Sequence, residues 1–236
     1  MPVARAREAV VSFRAAVAAR DHGQLLALLG DDAASGFLQE AGECFLAWAE
    51  QEPRAITAVA ELLSARLRQR SWPGDAELAE LITTVASEST GGRRQIRADL
   101  DMVADVLEGS ELGWGGVLDV ETGSAWPEEV LTDWPMEDDP PDPDDDPERY
   151  LSVPTEGSRA AWEDMRDFAA AVEDERVRER LLDAIDGKGA FSRFRRVLDQ
   201  HERLASAWYS YSAEACVGRA REWLAGEGYD ALPPRH

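Results

Sequence analysis

The apolar residues of the first ninety positions recur with the period of amphipathic helices. Phe37, Cys44 and Trp48 fall at i, i+7 and i+11, on one face of a helix with 3.6 residues per turn. Another helix is predicted after the turn residues Pro73 and Gly74, with Asp75 as its N-cap. Further stripes of the same kind are Val10, Phe13 and Val17; Ile56, Val59, Leu63 and Leu67; and Leu78, Leu81, Ile82 and Val85. The pattern predicts an N-terminal helical domain over residues 1–90.

The period changes in the middle of the chain. Leu100, Val103 and Leu107 predict a short helix that ends at Gly109. Over residues 116–127 the side chains alternate on both sides of a glycine-containing turn, which is typical of a β-hairpin. A third strand is expected at residues 150–153, because an isolated two-stranded hairpin is only marginally stable. The middle therefore predicts a small hairpin or a three-stranded antiparallel element.

Helical periodicity returns over residues 158–226 and predicts a C-terminal helical bundle. Its apolar positions are Trp162, Met165, Phe168 and Val172; Val177, Leu181, Ala184 and Ile185; Phe191, Phe194 and Leu198; and Leu204, Trp208 and Tyr211. The fold class is therefore mostly α, of the α+β type. We divide the chain into a domain at 1–90 and a second domain at 99–236.

Charge is distributed unevenly along the chain. The formal net charge is −22, yet residues 1–98 and 151–236 carry only −2 and −3. Residues 99–150 hold 18 acidic groups and one basic residue, Arg149. Such self-repulsion favours an extended, hydrated segment.

The densest acidic stretch lies within residues 133–149, which we interpret as a solvated linker. Its prolines remove backbone donors, and its carboxylates cannot be buried without partners. The spacing lacks the glycine and the terminal glutamate of a calcium loop, so no metal site is predicted. The candidate residues for contact with a basic partner are Asp138, Asp139, Asp142, Asp144, Asp145 and Asp146.

Composition places the protein in a broad class. The apolar runs are shorter than the ~20 residues that cross a bilayer, so no contact with a membrane is expected. Cys44 and Cys216 lie far apart within apolar helical patterns, which argues against a structural disulfide. The basic residues include one lysine, Lys188, and are otherwise arginines, a bias typical of a GC-rich bacterial genome. We expect a bacterial, cytoplasmic protein.

Catalytic and cofactor motifs are not recognisable. His22, His201 and His236 are scattered without ligand spacing, and the sequence has no P-loop, dinucleotide-binding or nucleophile-elbow pattern. We therefore predict no catalytic residue, no metal and no cofactor. Arg66, Arg68 and Arg70 lie near a predicted helix end, where the helix dipole accounts for them without a ligand.

The segment from Lys188 to Arg196 contains a cluster of basic and aromatic residues. If a helix begins near Gly189, Lys188, Arg193, Arg195 and Arg196 could contact an anion or a nucleic acid. The structural alternative places Phe191 and Phe194 inward with Leu198. The arginines would then face outward and pair with Asp183, Asp186 and Asp199.

Several residues of the second half carry a family resemblance. They are Arg149, Tyr150, Leu151 and Pro154; Trp162, Met165 and Phe168; Gly187, Lys188, Gly189, Ala190, Phe191 and Phe194; and Trp208, Glu222, Trp223 and Leu224. In this order they resemble the uncharacterised protein family 0158 of the UPF series, over about residues 99–232. The resemblance implies a fold unit and no activity, and the N-terminal helices lie outside it.

Three hypotheses for function remain open. The first, which we favour, is a non-enzymatic interaction or regulatory protein that binds a basic protein partner. The second is a nucleic-acid-binding protein that uses the segment 188–196, although a net charge of −22 repels nucleic acid at long range. The third is a hydrolase with clustered carboxylates, such as Glu163, Asp164 and Asp167 or residues 173–175.

Overall fold

A computed structural model describes residues 4–50, 57–87, 89, 92–109, 115–132 and 141–235. The helices are α1 Ala4–Ala19, α2 His22–Gly30, α3 Leu38–Ala49, α4 Thr57–Arg70, α5 Asp75–Ala86, α6 Leu100–Glu108, α7 Glu128–Thr132, α8 Gly157–Ala170, α9 Glu175–Ala184, α10 Ala190–Leu198 and α11 Glu202–Gly226. The strands are β1 Arg94–Arg97, β2 Gly116–Asp119, β3 Ala125–Pro127, β4 Tyr150–Val153 and β5 Tyr229–Leu232. The predicted fold class, mostly helical with a small antiparallel element, is confirmed.

Helices α1 to α5 enclose the first hydrophobic core. Phe13, Phe37 and Phe45 are fully buried in it, and the rings of Phe13 and Phe37 pack 5.9 Å apart. Apolar side chains from each of the five helices meet there, which is what the amphipathic stripes predict. A short 3-10 helix, Asp32–Gly36, connects α2 to α3.

The predicted N-cap of α5 is wrong. Gly74 occupies that position with a φ of +73°, and no side chain caps the helix there. Asp75 lies in the first turn instead, where its carboxylate accepts a hydrogen bond from the backbone N–H of Trp72 at 2.9 Å. Asp75 is fully buried, and its carboxylate binds the backbone before the helix instead of the N–H groups of the first helical turn.

The predicted hairpin forms and gains its third strand. β2 pairs antiparallel with β3 and with β4, in the order β3-β2-β4. Val120, Leu118 and Val153 bury their side chains in a second core together with α6. α6 ends at Gly109, which has a φ of +72°, so the predicted stop is also confirmed.

A second sheet was not predicted from the sequence. β1 pairs in parallel with β5, so that Ile96 lies opposite Ala231 although the two are far apart in the chain. Leu232 of β5 packs against the core of the N-terminal helices. The division of the chain between residues 90 and 99 remains a prediction, and the described contacts cross it.

Helices α8 to α11 form a third core rich in aromatic rings. Phe168, Phe194 and Trp208 meet edge to face, with ring centroids 4.9–6.3 Å apart. The long helix α11 continues beyond this core and packs against α6 and against the N-terminal helices. One helix thus joins the three cores.

Candidate functional site

A groove of about 950 Å³ lies where α11 meets the N-terminal helices. Its walls come from α1, α3, the start of α6 and the middle of α11, and Pro233 and Pro234 also line it. Five acidic residues line it, namely Glu40, Glu43, Asp99, Asp101 and Glu214, against one basic residue, Arg14. The lining of this groove therefore contains more acidic than basic residues.

An ion network lies beneath the groove on the side of α5. Arg70 pairs with Asp75 at 2.6 Å and with Glu214 of α11 at 2.7 Å. The side chains of all three are at most 7% exposed. Glu214 also accepts hydrogen bonds from the backbone N–H groups of Gln39 and Glu40, and so caps α3 from a distant helix.

The same network continues toward α3 and β5 through Arg221. Its guanidinium donates to Gln39 Oε1 at 3.0 Å, to the Ala231 carbonyl at 3.2 Å and to the carboxylate of Glu43. Gln39 Nε2 in turn donates to Asp75 Oδ1 at 3.0 Å. The two arginines and their carboxylates are thereby connected, which fixes the floor of the groove.

Burial raises the pKa values of three groove carboxylates, which therefore hold protons more tightly. It raises the pKa of Glu40 although Arg14 opposes the shift, and it raises the pKa of Glu43 although Arg221 does. Burial and the charge of Asp99 together raise the pKa of Asp101. Glu40 and Glu43 are each paired with an arginine, whereas Asp101 has no such partner among the described residues, so a cation that entered the groove would be stabilised at Asp101.

Asp101 is the most accessible of these acids. The carboxylate of Asp99 caps α6 by accepting from the N–H groups of Asp101 and Met102, whereas that of Asp101 is exposed. Among the described residues no arginine or lysine forms an ion pair with Asp101. Its charge is therefore available to a second molecule.

Cys44 is the one residue of the groove wall with a thiol. Burial, and to a smaller extent the charge of Glu40, raise the pKa of this thiol to about 11. The thiol is protonated at neutral pH and is a poor nucleophile. Cys44 is therefore not an activated nucleophile.

The predicted basic segment forms α10, and its arginines differ in environment. Arg193 turns back toward the end of α9, where it donates to the carbonyl oxygens of Ala184, Lys188 and Asp186. Arg195 and Arg196 are exposed, as is Lys188. Three of the four candidate anion contacts thus lie on the surface, while Arg193 holds the turn together.

The predicted structural alternative for α10 is only partly right. Phe194 and Leu198 are buried as expected, but Phe191 is 46% exposed. Within the part of the chain that the structure describes, these arginines form no ion pair with Asp183, Asp186 or Asp199. Arg193 instead donates to backbone carbonyl groups at and after the end of α9, where the last carbonyl groups of a helix lack intrahelical donors.

This turn between α9 and α10, together with β4, α8 and the long α11, carries the residues of the predicted resemblance. Residues 140–232 match the model of the uncharacterised protein family UPF0158. The resemblance is confirmed over that range, whereas residues 99–139 lie outside the match. No curated protein and no solved structure matches the chain.

The groove is built only in part by the segment that matches UPF0158. Tyr209, Glu214 and Val217 lie within residues 140–232, but Glu40 and Asp101 lie outside. Because the family is uncharacterised, the match assigns no activity, substrate or partner. The groove must therefore be judged on its own chemistry.

The predicted acidic contact segment is described from residue 141 onward. Asp142, Asp144, Asp145 and Asp146 are exposed within two successive turns. The backbone N–H of Asp144 donates to the carboxylate of Asp142 at 2.9 Å. Asp138 and Asp139 lie outside the described residues.

Arg149 follows the acidic segment and forms an ion pair with Asp119 of the hairpin. Its guanidinium donates to Asp119 Oδ2 at 2.8 Å. Burial alone would raise the pKa of Asp119, but Arg149 and the backbone N–H groups of Glu121 and Thr122 hold it below its ordinary value. Asp119 is therefore a structural carboxylate that fixes the turn between β2 and β3.

The carboxylates considered for a hydrolase have structural partners. Asp164 pairs with Arg219 at 2.8 Å, and Glu163 pairs with Arg159 at 3.0 Å. Asp174 caps α9 by accepting from the N–H groups of Arg176 and Val177. Within the described ranges, no group of three histidine, cysteine or carboxylate side chains is arranged to hold a metal.

No helix of those ranges is long and apolar enough to cross a membrane.

Mild acidification should stabilise the fold. Glu40, Glu43, Asp101 and Asp105 have raised pKa values, so the native state binds protons more tightly than the unfolded chain. Stability then rises as pH falls from neutral through these raised values, above the ordinary carboxyl range. It falls again at lower pH, when Asp119 with its lowered pKa is protonated.

Thermal melts across this pH range at constant ionic strength test the expectation. The variant Glu40→Gln/Asp101→Asn should show a smaller rise in Tm, because two of the titrating groups are absent. A Tm that falls steadily from neutral pH downward would contradict the assignment.

Proposed function

We propose that this protein is a non-enzymatic interaction protein that binds a basic segment of a partner protein in the groove. The observation that carries the proposal is a groove of about 950 Å³ lined by five acidic residues, of which only three are paired with arginines in the part of the chain that the structure describes. Asp101 offers an exposed carboxylate without a cationic partner among the described residues. An arginine or lysine side chain of a partner would supply the missing charge.

The charge of the whole chain supports the same partner class. A net charge of −22 raises the local concentration of basic molecules and repels acidic ones. The exposed aspartates at 142–146 add to this long-range attraction, and the groove supplies a place where a cation is partly desolvated. We place the protein in the cytoplasm of a bacterium, a proposal that rests on its arginine-rich, lysine-poor composition.

Binding of a labelled arginine–serine repeat peptide, followed by fluorescence anisotropy, tests the proposal. Glu40→Gln/Asp101→Asn should weaken binding by roughly tenfold, equal to about 1.4 kcal/mol. The reason is that both carboxylates line the groove, where Glu40 is partly buried and Asp101 has no cationic partner among the described residues. Rising salt should weaken binding to the wild-type protein.

The matched control removes the same charge from the acidic segment. Asp144→Asn/Asp145→Asn should change the affinity by less than about twofold, because both side chains are exposed and screened. If this control weakens binding as much as the groove variant does, the groove is not the binding site. If it weakens binding more, the predicted acidic segment is the contact.

A further inference from the structure

The groove has apolar walls as well as acidic residues. On α11 the residues Tyr209, Ala213 and Val217 line it at i, i+4 and i+8, which places them in one row along the helix. Val10 and Val11 face it from α1, and Leu100 from the start of α6. Val11 is 68% exposed and Tyr209 is 55% exposed, so the apolar surface reaches the rim.

A second helix lines the groove with residues of one face. These are Glu40, Cys44 and Ala47 of α3, at i, i+4 and i+7. Eight residues of helix span ~12 Å, so each wall offers about two turns.

We propose, as a refinement that rests on the proposed function, that the bound segment is an amphipathic basic helix. Its apolar stripe would cover Val11, Tyr209 and Val217, and arginine or lysine residues along one edge would reach Asp101 and Glu40. Charge complementarity selects this occupant, because Asp101 has no cationic partner among the described residues and the five acids of the lining outnumber the three arginines that pair with them. A purely apolar helix would desolvate the carboxylate of Asp101 without supplying a cation, and an acidic helix would be repelled.

Two labelled peptides of about 15 residues and identical composition test the refinement, one with an i, i+3, i+4, i+7 leucine stripe flanked by arginines and one with the stripe scrambled. The striped peptide should bind at least about tenfold more tightly, with a gain in helical circular dichroism. Val11→Ser/Tyr209→Ser should abolish this preference and leave the weaker, charge-dependent binding. Both positions are exposed, so the fold should tolerate the changes.

Leu182→Ser/Phe191→Ser is the matched control, since it removes two exposed apolar side chains elsewhere and should preserve the preference. Equal binding of the two peptides, with Glu40→Gln/Asp101→Asn still weakening both, overturns the helix and leaves the proposed function standing. Absence of binding, or binding that ignores the groove charges, overturns both. A dimer in size-exclusion chromatography that Val11→Ser/Tyr209→Ser dissociates would identify the occupant as a second copy of the chain and overturn the refinement.

Discussion

Arg70→Met should lower the free energy of unfolding by about 3–5 kcal/mol. The substitution keeps the volume and apolar stem of the side chain but removes the charge between Asp75 and Glu214. These two carboxylates are at most 7% exposed and would remain buried without their cation. Equilibrium unfolding in urea, followed by tryptophan fluorescence, measures the loss.

Arg68→Met is the matched control on the same helix. Arg68 is exposed and its hydrogen bond to Thr83 Oγ1 is long, at 3.4 Å, so its loss should change stability by less than about 0.5 kcal/mol. If Arg70→Met costs no more than Arg68→Met, the buried network does not stabilise the junction of α4, α5 and α11.

Gly218→Ala should also destabilise the protein, by roughly 2–4 kcal/mol. A Cβ atom at this position of α11 would lie 2.1 Å from the carbonyl oxygen of Pro73, a backbone atom that cannot rotate away. The turn before α5 therefore rests directly on α11 at this glycine. The shift in Tm and in the urea midpoint measures the effect.

Gly226→Ala in the last turn of the same helix is the internal reference. No atom lies within 4 Å of its added Cβ, so the better helix propensity of alanine should leave stability unchanged or raise it by up to about 1 kcal/mol. The same chemical change should thus have opposite signs at two positions of one helix. Destabilisation at both positions, or at neither, would contradict the close approach at Gly218.

The helices and the hairpin were predictable because their signals are local. Phe37 at the N-cap of α3 and Phe45 and Trp48 within it repeat within a few turns, and all three are buried in the structure. The turn at residues 121–123 lies between alternating side chains, and the strands on both sides pair as expected. Wherever one face of an element meets a core, the spacing of its apolar residues records that face.

The parallel pair of β1 and β5 was not predictable in this way. Arg94–Arg97 has one apolar residue, Ile96, and therefore no alternation by which a strand is recognised. Its partner at Tyr229–Leu232 is more than 130 residues away, and a parallel pairing leaves no turn signal between the strands. Only tertiary packing determines that these segments meet.

The groove and its ion network could not be predicted from the sequence for a related reason. Arg70 at the end of α4 has the position that a helix dipole would explain, and its partner Glu214 lies 144 residues away. Asp75 has the sequence position of a cap, whereas its carboxylate binds Arg70. An unusually polar residue on the inner face of a helix, such as Gln39, was the one local signal that could have indicated a buried partner.

The wide separation of Arg70 and Glu214 has a consequence for biosynthesis. At about 5–20 residues per second, the ribosome adds the intervening 144 residues over on the order of ten seconds. During that time the N-terminal helices contain Arg70 and Asp75, but Glu214 and Arg221 of α11 have not yet been synthesised. Strand β1 likewise lacks its partner β5. The junction of α11 with α3 and α5 therefore forms only once α11 has left the exit tunnel.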